Sequence, residues 1–227
     1  MNKRVLLILS IFIIVSLSIT IYIVNNKNKK EKLVDKAVDI SSNLSKKNPN
    51  YKSIIKDLDN NVADKKYKLV ETAYNNYMLN VTYKIEEIKR NIDTDKIYNL
   101  LDIKNIRDDG QEFKDTSKYI SDTKNRLKSY KKDLKKLTSN KTIMSYLPVE
   151  ATSSEKELYK ELISYTKVDD KALLKSLDDV QNTIEKEEKV INFLKENKDH
   201  WEIDNNKVAF TDENLLNKYN TLLKNIK

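Results

Sequence analysis

From residue 33 onward the apolar residues of this chain recur every three or four positions, the spacing that gathers them on one face of an α-helix. Leu33, Ala37, Ile40 and Leu44 form the first such stripe. The helix they predict ends near Asn48, because Pro49 disfavours helix in the residue before it. Pro49 in turn suits the first turn of a second helix. There Tyr51, Ile54, Ile55, Leu58, Val62, Leu69, Ala73, Tyr77, Val81, Ile85, Ile88 and Ile92 keep helical spacing, with the polar run DNNVADKK at 59–66 as a candidate interruption. Thr94 is placed to cap a shorter helix carrying Ile97, Leu100, Leu101 and Ile106, which ends at Asp108-Asp109-Gly110.

Two heptad-like seams follow. Phe113, Thr116, Ile120, Thr123, Leu127, Tyr130, Leu134 and Leu137 alternate spacings of three and four, and so do Leu173, Leu177, Val180, Ile184, Glu187, Ile191 and Leu194. That is the a/d pattern of helices that pack side by side. Between the seams lie a loop with Pro148 and a helix opened by Ser153-Ser154. Ser154 and Glu157 fit a capping box there, and the helix carries Leu158, Leu162 and Tyr165.

The period changes in WEIDNNKVAF, residues 201–210. Trp201 and Ile203 alternate with polar residues, as do Val208 and Phe210, and Asp204-Asn205-Asn206-Lys207 holds residue types that tolerate a left-handed turn. A small hairpin is predicted, with all four apolar side chains on one face. A two-stranded hairpin is not stable alone, so that face must rest on the helices. Thr211 is the expected N-cap of a final helix running through Leu215, Leu216, Tyr219, Leu222, Leu223 and Ile226, with Asp212 and Glu213 at its positive end.

One segment is of a different kind. VLLILSIFIIVSLSITIYIV, residues 5–24, carries no charge. Twenty residues at about 1.5 Å each span about 30 Å, the hydrocarbon thickness of a bilayer. Tyr22 stands at its edge, where an amphipathic ring suits the interface. The apolar run is longer than that of a cleaved signal peptide, and Asn25-Asn26-Lys27 is a poor processing context. An uncleaved signal anchor is expected. The domain plan is therefore a basic flank at 1–4, a transmembrane anchor at 5–24, a basic juxtamembrane linker at 25–32, and one helical domain at 33–227 with its hairpin at about 201–210. The fold class is all-α: a transmembrane helix followed by an elongated helical bundle.

Composition supports this class. The chain has one glycine, Gly110, and two prolines, Pro49 and Pro148. Sheet-rich folds need far more turn punctuation than that. The net charge of +8 looks like a nucleic-acid signal until it is mapped. Lys3, Arg4, Lys27, Lys29, Lys30 and Lys32 against Glu31 give residues 1–32 a charge of +5, which leaves +3 for residues 33–227. The basicity flanks the apolar segment and points to a bilayer surface. Lys3 and Arg4 favour a cytoplasmic N-terminus and an exported domain, since long domains translocate largely regardless of charge. The lysines at 27–32 argue the other way. The thirteen tyrosines are scattered along apolar stripes, where their rings bury and their hydroxyls stay wet. No recognised nucleic-acid module accompanies them, and nucleic acid is not an expected partner.

The two seam helices differ in charge. Residues 118–141 hold nine Lys/Arg against Asp122 and Asp133, whereas residues 169–188 hold seven Asp/Glu against Lys171, Lys175 and Lys186. The simpler expectation is that the helices face each other and partly neutralise. The sharper one is that Lys124, Arg126, Lys128, Lys131, Lys132, Lys135 and Lys136 bind an anionic polymer or lipid headgroups.

Little chemistry is available. Cysteine is absent, so thiol nucleophiles, Cys-based zinc sites and a lipidated N-terminal Cys are excluded. Phosphate-cradling loops need glycines. The single histidine, His200, has no nucleophile motif near it; it reads as a residue at a helix C-terminus, where its partial charge suits the dipole. No catalytic, cofactor-binding or metal-ligating residues are assigned, no cofactor is expected, and the chain is read as a non-enzyme.

The order Phe193, Trp201, Val208, Phe210, Tyr219-Asn220 and Leu222 resembles the C-terminal part of a family of small bacterial envelope lipoproteins of unknown function. The likeness covers roughly the last 35 residues and is of low specificity. It implies a membrane-tethered helical protein, here with a transmembrane helix in place of the missing lipidated Cys. It supplies no catalytic residues. Richness in Lys, Asn and Ile points to an AT-rich bacterial genome. Three readings follow. The first is an extracytoplasmic, membrane-anchored helical scaffold whose partners are the bilayer and another envelope protein. The second is a cytoplasm-facing anchored coiled-coil organiser. The third is a binder of anionic lipid or wall polymer through 118–141.

Overall fold

The computed structural model describes residues 29–46, 48–61, 63, 67–166 and 170–226. The expected anchor at 5–24, with Lys3, Arg4 and Lys27, lies outside them. No helix among the described residues is long and apolar enough to cross a membrane. The described chain is mostly helical with one two-stranded antiparallel hairpin near the C-terminus, as the hydrophobic pattern predicts.

In order, the helices are α1 (Lys29–Leu44), α2 (Tyr51–Asp59), α3 (Lys68–Asn91), α4 (Thr94–Tyr98), α5 (Ile103–Asp109), α6 (Lys114–Leu137), α7 (Asn140–Ser145), α8 (Ser153–Thr166) and α9 (Asp170–Glu196). A 3-10 turn (Lys198–His200) leads into β1 (Trp201–Asp204) and β2 (Lys207–Phe210), and α10 (Glu213–Lys224) closes the chain. The described residues divide into two compact units, one of residues 29–91 and 131–176, the other of residues 92–130 and 177–226.

In the first unit the predicted 4-3-4 stripe of α1 is the buried face: Leu33, Ala37, Ile40 and Leu44 are all enclosed. α1 packs on α2 and α8, and α3 packs on the same two helices. The helix of α1 ends at Leu44, before the expected Asn48, and Asn50 caps α2 by accepting from Ser53 N at 3.1 Å. α3 is the central element. Val70, Ala73, Tyr74, Tyr77, Met78, Val81 and Ile85 are buried on it, and Tyr77 meets Tyr146 edge-on with centroids 5.5 Å apart. α2 ends at Asp59 and α3 begins at Lys68, on either side of the expected interruption, and a buried ion pair reaches the described residues between them. Lys36 Nζ lies 3.0 Å from Glu71 Oε1, with side chains 7% and 0% exposed. Lys36 also donates to the carbonyl of Asn60, and Glu71 Oε2 accepts from Ala63 N at 2.9 Å. One lysine on α1 and one glutamate on α3 thus hold the backbone at Asn60 and Ala63.

Two local expectations need correction in this unit. The capping box of α8 is Thr152 with Glu155, not Ser154 with Glu157. Thr152 N and Oγ1 both donate to Glu155 Oε2 at 2.8 Å, and Thr152 Oγ1 accepts from Glu155 N at 3.3 Å. The stretch after the first seam also contains a helix, α7, that a plain loop reading omits. Ser139 caps it by accepting from Thr142 N, and Ile143 anchors it to the core.

In the second unit the segment from Thr94 to Gly110 forms two helices rather than one. Asp93, not Thr94, caps α4 by accepting from Lys96 N at 2.9 Å, and the helix stops at Asn99. Asp102 starts α5, which ends at Gly110 in a left-handed conformation (φ 68°) that costs glycine little. Phe113 also takes a positive φ of 47°, uncommon for a bulky residue, with its ring fully buried. It stands just before α6, so the capping of that helix falls to Asp109, whose carboxylate accepts from Asp115 N (3.0 Å) and Thr116 N (2.8 Å). Burial works against the Asp109 charge, but these backbone donors outweigh it and hold the carboxyl below its usual value.

The seams are buried as predicted: Ile120, Leu127 and Tyr130 on α6, and Leu177, Val180, Ile184, Ile191 and Leu194 on α9. The threonines inside the first seam are satisfied. Thr116 Oγ1 accepts from Asn105 Nδ2 at 3.1 Å, and Thr123 Oγ1 accepts from Arg126 at 3.0 Å.

Candidate functional site

The hairpin is built from its turn outward. Asn205 (φ 46°) and Asn206 (φ 58°) supply the two left-handed residues of a type I′ turn, the type whose twist matches paired strands. The register places Trp201 opposite Phe210 and Ile203 opposite Val208, so the four apolar side chains share one face. Trp201 and Val208 are buried, while Ile203 and Phe210 are partly so. The Trp201 indole donates to Leu194 O at 2.7 Å and its ring lies 6.1 Å from that of Phe113. Phe210 stacks between Phe193 and Tyr219, with centroids 5.9 and 5.4 Å away. Gln111 donates to the carbonyls of Lys198 (2.8 Å) and Trp201 (3.0 Å), tying the loop before α6 to the hairpin's entrance. His200 is exposed, and its carbonyl accepts from Thr211 N at 3.0 Å. It closes the 3-10 turn that follows α9, so it stands just past a helix C-terminus. The cap of α10 is Asp212, which accepts from Asn214 N (2.7 Å) and Leu215 N (3.1 Å), and not Thr211 as expected. At the turn, Arg107 of α5 donates to Asn206 Oδ1 at 2.8 Å.

The basic candidates on α6 separate into distinct environments. Lys124 is half-buried and pairs with Glu188 of α9 at 2.7 Å, which is the neutralising contact expected between the seam helices. Arg126 is exposed and donates to Thr123 Oγ1. Lys131 is half-buried. Lys128, Lys132, Lys135 and Lys136 are exposed, and none makes an ion pair among the described residues. At 100° per residue these four fall within about 100° of arc, on the side of the helix opposite the seam. Arg126 stands off that stripe. The pattern of charges in the sequence does not separate these cases, because each depends on what a neighbouring helix brings opposite.

Of the lysines read as a membrane flank, Lys29, Lys30 and Lys32 lie in α1. Lys30 bridges Glu161 at 2.8 Å, and this hydrogen bond outweighs burial to raise its pKa. Lys32 is exposed. Among the described residues there is no group of three or more His, Cys, Asp or Glu that could hold a metal ion. No protein-family model, curated protein or solved structure matches the chain.

Proposed function

We propose that the chain is a membrane-tethered helical module of a bacterial envelope that works by binding, with its folded part on the extracytoplasmic side. The observation that carries this reading is the uncharged 20-residue run at 5–24 with Lys3 and Arg4 before it. The C-terminal resemblance to envelope lipoproteins supports it. So does the economy of the polar chemistry: the buried charged pair at Lys36 and Glu71 holds the backbone at Asn60 and Ala63, and the one histidine ends a turn. Alkaline extraction of membranes tests the tether. A retained anchor keeps the protein in the pellet, with an intact mass that includes residues 1–24; recovery in the supernatant, or a mature N-terminus beyond Asn25, counts against it.

A second reading rests on a separate observation, the unpaired lysine stripe of α6. Four exposed ammonium groups on one helix face suit an anionic surface, either acidic lipid or a wall polymer, with each lysine worth about 1 kcal/mol near a charged membrane. Binding to acidic vesicles that falls steeply with salt supports it.

A further inference from the structure

Only residues 25–28 separate the uncharged run at 5–24 from Lys29, the first residue of α1. From residue 24 to residue 29 a chain spans at most about 18 Å. The first unit, which α1 enters, is thereby held close to the membrane that carries the run. A compact unit of about 100 residues has a radius of gyration of about 13 Å, so turning about so short a link brings any of its faces to the headgroups. Charge then decides which face settles there.

The last two turns of α6 belong to this same unit. Lys132, Lys135 and Lys136 are exposed there, share one side of the helix, and make no ion pair among the described residues. α7 prolongs the basic run. Its cap, Ser139, donates to Lys136 O at 2.8 Å, and its second residue is the exposed Lys141, also without an ion pair among the described residues. From residue 131 to residue 149 the only acid is Asp133, and Lys84 of α3 neutralises it at 3.2 Å. Lys30 and Lys36 of the same unit are already committed, to Glu161 and Glu71.

Each lysine near an acidic bilayer improves partition about fivefold, so three together give about a hundredfold. That is weak for a free chain. A tether makes the contact intramolecular, and a short link sets an effective concentration in the millimolar range. A wall polymer gains nothing from the tether, because it must be met in a separate encounter. We propose that the first unit lies against the membrane that tethers it, with Lys132, Lys135 and Lys136 on acidic phospholipid headgroups and Lys141 beside them. This arrangement rests on the tether and on the anionic reading of the stripe, and it selects lipid over polymer.

The test uses the full chain reconstituted into neutral phosphatidylcholine vesicles and into vesicles containing phosphatidylglycerol. A brief pulse of a bilayer-permeant amine reagent, read by peptide mass spectrometry, reports each lysine. Lys132, Lys135, Lys136 and Lys141 should react at least fivefold more slowly in the acidic vesicles, and about 1 M salt should abolish the difference. In a Lys132→Gln, Lys135→Gln, Lys136→Gln variant, whose exposed positions leave the melting temperature unchanged, the protection of Lys141 should be lost. Equal labelling in both vesicles, or Lys141 still protected in the variant, would overturn the proposal and leave the tether standing. Protection by added poly(glycerol phosphate) on neutral vesicles, without protection by acidic lipid, would overturn it in favour of a polymer. A chain that fails to float with neutral vesicles would remove the tether, and this arrangement with it.

Discussion

The indole nitrogen of Trp201 donates to the carbonyl oxygen of Leu194 across 2.7 Å, and the ring above that bond is only 6% exposed. One side chain therefore joins the C-terminal turn of α9 to the first residue of the hairpin. It fills apolar space against Phe113 and satisfies a carbonyl that the helix end leaves free. Trp201→Ala removes both. Truncating a buried aromatic costs about 3–5 kcal/mol, a large share of the roughly 5–15 kcal/mol that holds a domain folded. Denaturant unfolding of the full chain should show this loss, whereas His200→Ala, at an exposed position, should stay within about 0.5 kcal/mol. Equal effects would mean that the hairpin is not anchored through Trp201.

The hairpin was also the most legible feature of the sequence, because its determinants are local. Two adjacent asparagines specify the turn, the turn fixes the register, and the register sets the face. The helical stripes of α1 and the two seams were legible for the same reason. Caps were less so. Thr94, Ser154 and Thr211 are chemically adequate caps, but Asp93, Thr152 and Asp212 stand close by and take the role. Sequence spacing alone leaves such neighbours tied. The Lys36–Glu71 pair was not legible at all. Its members are 35 residues apart on different helices, and no periodicity distinguishes them from the many solvated charges of this chain.

That buried pair makes a sharp prediction. Removing one partner strands a charge, so Lys36→Met or Glu71→Leu should each cost about 3–5 kcal/mol. The double replacement Lys36→Met with Glu71→Leu strands none and should recover most of that loss. A double-mutant cycle by chemical denaturation reads the coupling directly. Simple additivity of the two losses would show that the pair does not act as a unit.

Asp109 gives a pH dependence. Its folded carboxyl lies below its usual value, so the stability it contributes is present above the unfolded pKa of about 3.9 and is lost as pH falls through the folded one. Unfolding measured from pH 6 downward should weaken along the acid limb, and Asp109→Asn should flatten that part of the curve. Asp109→Ala, which removes the cap of α6, should cost about 1 kcal/mol at neutral pH. An acid limb that keeps its slope in Asp109→Asn would assign the effect to other carboxylates.

Replacing Lys128, Lys132, Lys135 and Lys136 together by glutamine should leave the melting temperature nearly unchanged, because all four are exposed and unpaired among the described residues. If the stripe binds an anionic surface, the same variant should lose most of its low-salt affinity for acidic vesicles. Undiminished binding would remove the stripe from the account.

The central claim, a folded helical module held on the outer side of a membrane by residues 5–24, is tested most directly by protease access to intact protoplasts carrying a C-terminal epitope on this chain. The account predicts that added protease removes the epitope while a cytoplasmic marker survives. An epitope that is protected until the membrane is permeabilised would contradict it and place the folded part inside.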